Sequence, residues 1–379
     1  MAEQAKSPTE KSTPSTKGTG KSTPSRVRDR DRDWDVLAAR SKRRSAVNQG
    51  LLIAFLITVS VPILLPYFWM FTISVSARTG GVDAIVLWKA CAVAVPAVVG
   101  FGIVNLLPES TNRRLYGYAA IVVVALAALI WSVGRDLHTD NWGFLWDPDM
   151  VAKLQGRSQA TTESQFPWVW TAFFNSLLLA GTLTVLVLSV STLAGYYLSR
   201  FQFAGRASFL QALLILHAFP AMTLIIPIFL MLYWTGMLDS YSGVVFVLTT
   251  LELPFAIFIM KGFFDAVPWD IEMSAMTDGA SRRQAFFQVV LPQVKVGLLA
   301  VGVFAFLKGW EDYVFVRTLL FEKQNWTMSL YLFWVADDVM GVDYGIVAAV
   351  GVLYVVPSLA LYLFCQKYLV QMTIGGIKG

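Results

Sequence analysis

The chain alternates long apolar blocks with short polar connections. Eight blocks have the length of a membrane helix: residues 51–75, 83–104, 115–133, 169–198, 209–234, 243–260, 294–315 and 344–364. About 20 apolar residues carry an α-helix across the hydrocarbon layer. Each backbone N–H and C=O must there be satisfied inside the protein, so such blocks fold as helices. The pattern predicts an all-α, polytopic membrane protein. Composition agrees: 56% of the 379 residues are hydrophobic and 15% are charged, against about 25% charged in an ordinary soluble domain.

The polar connections set sidedness. Arg113 and Arg114, Arg200 and Arg206, Arg282 and Arg283, and Lys367 and Lys378 fall on one side of an eight-span chain. Lys and Arg accumulate in cytoplasmic loops, so this side, with both termini, is expected to be cytoplasmic. Residues 135–168 then form an extracytoplasmic loop, with Asp136, Asp140, Asp147, Asp149 and Glu163 against Arg135, Lys153 and Arg157. Trp142, Trp146, Trp168 and Trp170 bracket it, as expected of indoles at a membrane interface.

Residues 1–46 are rich in Lys, Ser, Thr, Pro and Gly and lack apolar periodicity, which predicts a disordered cytoplasmic tail. Residues 1–50 hold 12 Lys and Arg against 6 Asp and Glu, so the formal net charge of +5 originates there. A basic tail beside an anionic leaflet explains it, and no nucleic-acid partner is expected. Gly18-Thr19-Gly20-Lys21-Ser22 resembles the end of a P-loop. Ser15 stands where that motif needs its first glycine, and no strand precedes it, so no nucleotide site is read there. The first apolar block starts too late and runs too long for a secretory signal. Two cysteines and two histidines supply neither a disulfide framework nor a histidine-based metal site.

Residues 267–292 separate the sixth and seventh blocks. They carry Asp270, Glu272, Asp278, Arg282 and Arg283, so they lie outside hydrocarbon. The pattern predicts a short helix from Pro268, a stop at Asp278-Gly279 with Gly279 free to take positive φ, and a second helix capped by Ser281. Pro292 is placed to open the membrane helix that follows.

This stretch resembles the "EAA" cytoplasmic loop of binding-protein-dependent ABC importer permeases. Asp278, Gly279 and Ala280 fit the motif, Ala275 fits its second alanine, and Leu291-Pro292 stands at the expected distance. Glu272 fits an acidic position, whereas the motif's own Glu falls on Met273 and its first alanine on Ser274. The resemblance continues through Asn175-Ser176-Leu177, Leu193-Ala194-Gly195-Tyr196, Ser199-Arg200-Phe201, Leu253-Pro254-Phe255, Trp310-Glu311-Asp312 and the ending Thr373–Gly379. That ending is similar to the tail of maltose-type sugar permeases.

The resemblance implies a type I ABC importer transmembrane fold of about eight helices, a six-helix core plus an added two-helix hairpin. Its parts are a tail (1–46), a first helix with the added hairpin (47–134), an outer loop (135–168) and a permease core (169–379) with a coupling loop (265–292). It implies import of a carbohydrate: an oligosaccharide, an α-glucoside or a polyol. The coupling residues it implies are Glu272, Ser274, Ala275, Asp278, Gly279, Ala280, Leu291 and Pro292. Expected partners are an ABC ATPase dimer, a second homologous permease, an extracytoplasmic solute-binding protein and membrane lipid. ATP and magnesium would sit on the ATPase; this chain would bind no cofactor and perform no covalent chemistry. The setting is the inner membrane of a prokaryote.

Charges inside the blocks raise separate candidates. Glu252 lies mid-span beside Leu253-Pro254, and intramembrane carboxylates are costly. It is read either as a hydroxyl acceptor or gate in the translocation path, or as a packed and paired structural group. Lys308 stands three and four residues before Glu311 and Asp312, which predicts an internally neutralised cluster, with a cavity-lining role as the runner-up; Asn175, Lys308, Glu311 and Asp312 thus join Glu252 as candidates for the substrate path. Asn175 is expected to bond across helices, and His217 to be a hydrogen-bonded packing residue. These charges leave one alternative of a different class, an ion-coupled secondary transporter using Glu252. Such transporters show internal repeats, and none is evident between the halves. A membrane enzyme would need a nucleophile–base, metal or paired-acid constellation, and the sequence offers none.

Overall fold

The computed structural model describes residues 62–76, 85–106, 111–134, 137–151, 167–337 and 343–375, with scattered positions between 50 and 60. The predicted tail 1–46, most of block 51–61, loop residues Arg135, Asp136, Lys153, Arg157 and Glu163, and the end 376–379 lie outside these residues. Helices and turns make up the described residues, and none of those residues is in a strand.

In chain order the helices are α1 (Pro62–Ser74), α2 (Ile85–Leu106), α3 (Thr111–Val133), α4 (Val169–Arg200), α5 (Arg206–Ala218), α6 (Ile225–Thr235), α7 (Tyr241–Asp265) and α8 (Trp269–Thr277). There follow α9 (Arg282–Gln293), α10 (Lys295–Glu311), α11 (Val314–Leu319), α12 (Met328–Ala336) and α13 (Tyr344–Gly375). Short 3₁₀ turns occupy Asp140–Leu145, Ala221–Leu224 and Lys323–Asn325.

Five helices, α2, α3, α4, α7 and α13, are each long and apolar enough to cross a membrane. Two pairs, α5 with Ala221–Thr235 (a 3₁₀ turn and α6) and α9 with α10, qualify only together and are bent by 87° and 75°. Two expectations therefore change. Block 209–234 breaks at Phe219, whose φ of −75° and ψ of 130° are extended, because the residue before a proline is pushed out of the helical region. Block 294–315 starts only after Val294 and ends at Glu311, where Asp312 leaves the helix in extended geometry. Pro292 thus closes α9 instead of opening the membrane helix. A π-helical segment, Ala285–Val290, precedes it, and the Leu291 N–H bonds to the Phe286 carbonyl. Prolines and π-bulges are both recognised causes of a sharp helix bend.

The chain divides into two compact units, residues 1–64 with 96–123 and residues 65–95 with 124–379. In the first unit, Phe101 stacks on Tyr118 at 5.4 Å, and Ile121 and Val104 lie over Gly100 and Gly117. These pairs run in opposite directions along the chain, so the two segments are antiparallel.

The second unit is centred on α4, which packs most extensively against α7 and α10. Small residues permit the close approach, as is usual between membrane helices. A Cβ on Gly195 would stand 2.8 Å from the Met260 Cβ and 2.9 Å from the Lys261 backbone N. One on Gly309 would stand 2.8 Å from the Ala180 Cα. Leu179, Leu183, Val187, Leu248, Met260, Val301 and Ala305 fill the resulting core.

At the other end of α1, buried Asn141 donates its amide to the carbonyls of Ile73, Ser74 and Ser76 at 3.5, 3.2 and 2.9 Å. A side chain from the 3₁₀ turn Asp140–Leu145 thereby satisfies carbonyls that a helix end leaves without partners. Trp170 donates to the Leu145 carbonyl at 3.0 Å, so this bracketing indole also anchors the loop, whereas Trp146 and Trp168 are exposed.

Candidate coupling loop and membrane charges

The polar stretch folds as the helix–turn–helix its sequence predicts. Helix α8 follows Pro268 and closes at Asp278. The Gly279 N–H bonds to the Met276 carbonyl at 3.1 Å and the Ala280 N–H to the Ala275 carbonyl at 3.0 Å. With Gly279 at φ 96°, this is a complete Schellman closure, in which glycine avoids the steric cost of a left-handed Cβ. Ser281 caps α9 by accepting from the Gln284 N–H at 3.3 Å, while the Gln284 side chain accepts from the Ser281 N–H at 2.8 Å. Two orphan donors are satisfied reciprocally in such a capping box. Chain direction through the loop is therefore fixed by local hydrogen bonds.

The exposed positions of α8 include three large apolar side chains spread around the helix: Trp269, Ile271 and Met273 are about two-fifths exposed, and Phe287 on α9 about half. Ser274, Asp278 and Gly279 share this exposure, and Ala275 and Ala280 are partly covered. Leu291 is partly covered and Pro292 exposed.

Glu272, by contrast, is wholly buried. Its Oε2 accepts from the Arg200 Nε at 3.1 Å, and its Oε1 accepts from the Tyr196 hydroxyl. Arg200 also donates through Nη2 to the Val267 carbonyl at 2.9 Å and lies 5.4 Å over the Trp269 ring. Tyr196, Phe264 and Phe286 pack around this pair with centroids 4.6–6.2 Å apart. Arg282 sits 5.0 Å over Phe201, just past the end of α4. Arg206 donates to the Leu198 carbonyl at 2.8 Å, so three arginines of the positive side, Arg200, Arg206 and Arg282, have specific structural partners.

Reading the sequence missed the partnership of Glu272 with Arg200 and Tyr196. The available signal was the cluster Tyr196 and Arg200 at the end of an apolar block, one turn apart on a helix face, where a buried carboxylate can be met twice.

The membrane charges gather partly as expected. Lys308 pairs with Asp312 at 2.9 Å. Glu311 is exposed and lies outside that pair, because α10 ends there. Asp312 turns to cap the next helix by accepting from the Phe315 N–H at 2.9 Å. Glu252 is half-buried on α7, in the neighbourhood of Lys308 on α10 and His217 on α5. His217 stacks on Phe255 at 4.9 Å.

Asn175 does not reach another membrane helix. It donates to the backbone carbonyls of Gln324 and Trp326 at 2.8 and 3.0 Å, where a non-helical segment leaves acceptors to be satisfied. Ser176 beside it accepts from the Met328 N–H at 2.7 Å. A cavity of about 570 Å³ between α4 and α7 is lined by residues including Leu178, Thr182, Leu186, Val245 and Thr249. Its lining does not include Glu252, Asn175, Lys308, Glu311 or Asp312.

Comparison with known proteins adds to this geometry. Residues 191–373 match a family described as the binding-protein-dependent transport system inner membrane component. An inner membrane ABC transporter permease protein of Escherichia coli, YcjP, is 30% identical over 218 residues, covering 56% of this chain and 76% of its own. The maltodextrin transport system permease protein MdxG of Bacillus subtilis is 32% identical, covering 55% of this chain and 75% of its own. The galactooligosaccharides transport system permease protein GanQ of the same organism is 29% identical, covering 70% and 96%. Among solved structures, a chain of a bacterial ABC transporter involved in the import of the acidic polysaccharide alginate has the same fold. Its TM-score is 0.57 at 19% identity, covering 86% of this chain and 98% of that one.

Proposed function

The chain belongs to the family of binding-protein-dependent transport system inner membrane components, and from that premise we propose that it is the permease subunit of an ATP-driven carbohydrate importer. The observation that carries the reading is α8: a short helix outside the apolar spans, closed at Gly279, that leaves the large apolar side chains of Trp269, Ile271 and Met273 exposed beside Phe287 of α9. Exposed large apolar side chains on a short extramembrane helix suit a groove on a partner ATPase. The relatives named for maltodextrin and galactooligosaccharides support an oligosaccharide as cargo.

In this reading two ATPase subunits bind ATP and magnesium, and close. The α8 helices of this chain and of a second permease follow, and the bundles rock between inward- and outward-facing states. A solute-binding protein delivers sugar from outside. The Arg200 end of the bundle is cytoplasmic, with both termini. Glu252, near Lys308 and His217, is the residue assigned to the substrate path, as an acceptor for sugar hydroxyls. Nothing among the relatives supports the ion-coupled alternative. The test is ATP-dependent uptake of labelled oligosaccharides by the purified complex in proteoliposomes. Uptake driven by a proton or sodium gradient without ATP would overturn the reading.

A further inference from the structure

We propose that Arg200 and Glu272 are positioning residues that lock α8 to α4, making α4 the lever through which α8 moves the bundle. The proposal rests on the reading of α8 as the ATPase-docking helix.

Along the chain, α8 connects to α7 through residues 266–268 and to α9 through residues 278–281, and it packs against residues Ala285–Val290 of α9. Its buried carboxylate and its start are held by α4. A single α4 side chain, Arg200, holds the Val267 carbonyl before α8, the Trp269 ring at its start and the Glu272 carboxylate one turn on. A second, Tyr196, holds the other oxygen of the same carboxylate. Both Glu272 oxygens thus have donors on one helix, at positions four apart. The Arg200 side chain is 6% exposed and that of Glu272 0%. Charge-assisted bonds in so dry a place are short of alternatives, because separating the groups would leave two charges without water. The joint therefore resists shear between α8 and α4 more than an exposed pair would.

The far end of α4 gives the lock its consequence. The helix has 32 residues and is about 48 Å long at 1.5 Å per residue. Near its start, Asn175 and Ser176 hold the segment Gln324–Met328 by three hydrogen bonds. Displacement of α8 is thereby carried along α4 to a backbone segment on the opposite end, next to α12. Between the ends, Gly195 and Gly309 keep α4 tight against α7 and α10. Coupling of this kind needs rigid elements with two arrangements, not a flexible tether.

The test uses the full complex in nanodiscs, with Cys91→Ala and Cys365→Ala and spin labels at Thr277 and Leu193, both exposed. The Thr277–Leu193 distance is expected to stay the same between nucleotide-free and ATP-bound states, since α8 and α4 move as one body. A shift of that distance on ATP binding overturns the lever, and this reading needs no change to the joint itself. The second measurement is sugar transported per ATP hydrolysed. Glu272→Gln and Arg200→Lys are expected to keep ATPase association and lower that ratio about tenfold, within the usual span of coupling energies. The exchange Arg200→Glu with Glu272→Arg is expected to restore part of it. An unchanged ratio in the single variants overturns the lever alone. Absence of ATP-driven uptake by the unmodified complex overturns the functional reading and the lever with it.

Discussion

Two carboxylate–cation pairs in this chain look alike on paper and differ in physics. Lys308 and Asp312 are four residues apart at the end of one helix. Their spacing alone brings them together, and the lysine side chain keeps 37% of its surface exposed. Arg200 and Glu272 are 72 residues apart, on different helices, and almost no part of either is exposed. The first pair neutralises charge locally while Asp312 caps α11. The second joins an extramembrane helix to a membrane span. A joint of that sort costs desolvation of both ions and is retained where geometry matters more than net stability.

The contrast can be broken by mutation. Removing the Glu272 carboxylate with Glu272→Ala leaves Arg200 buried without its partner, and is expected to destabilise the subunit by about 3–5 kcal/mol. Thermal unfolding in detergent would read this. Next in size, Gly279→Val places a β-branched residue at φ 96°, a strain of about 1–3 kcal/mol. No atom lies within 4 Å of a Cβ there, so the cost falls on the Schellman closure. The subunit should remain in the membrane while ATP hydrolysis and sugar uptake uncouple; normal uptake would remove α8 from the coupling route. Smaller again, Glu252→Gln should raise KM for sugar about fivefold, the worth of one hydrogen bond, with stability unchanged. A fully normal transporter would leave Glu252 a packing residue. Lys308→Met should cost about 1 kcal/mol, because the lysine is partly exposed and Asp312, although its side chain is 4% exposed, keeps its bond from the Phe315 N–H. A loss as large as that of Glu272→Ala would erase the distinction between the two pairs.

Much of the fold is legible in the sequence, because membrane helices announce themselves by length and apolarity. Local devices are legible too: the positive φ of Gly279 and the Ser281 cap follow from residue type and spacing. The Lys308–Asp312 pair follows from an i, i+4 interval. What escapes is tertiary. The kink at Phe219 hides inside an uninterrupted apolar block, where only Pro220 marks it. Asn175 is visible as a polar group, but its acceptors, Gln324 and Trp326, lie some 150 positions on in a segment with no sequence signature. Glu272 reads as one more acidic residue on a polar loop. Its inward direction is decided by Tyr196 and Arg200, which the sequence places in another helix altogether.

The central claim is that this chain moves sugar only as part of an ATP-driven complex. Its most direct test is purification of the tagged chain in mild detergent, followed by oligosaccharide uptake in proteoliposomes with and without ATP. The account predicts co-purification of an ATPase and a second permease, and uptake that requires ATP and a solute-binding protein. A chain that purifies alone and transports in the absence of ATP would contradict it.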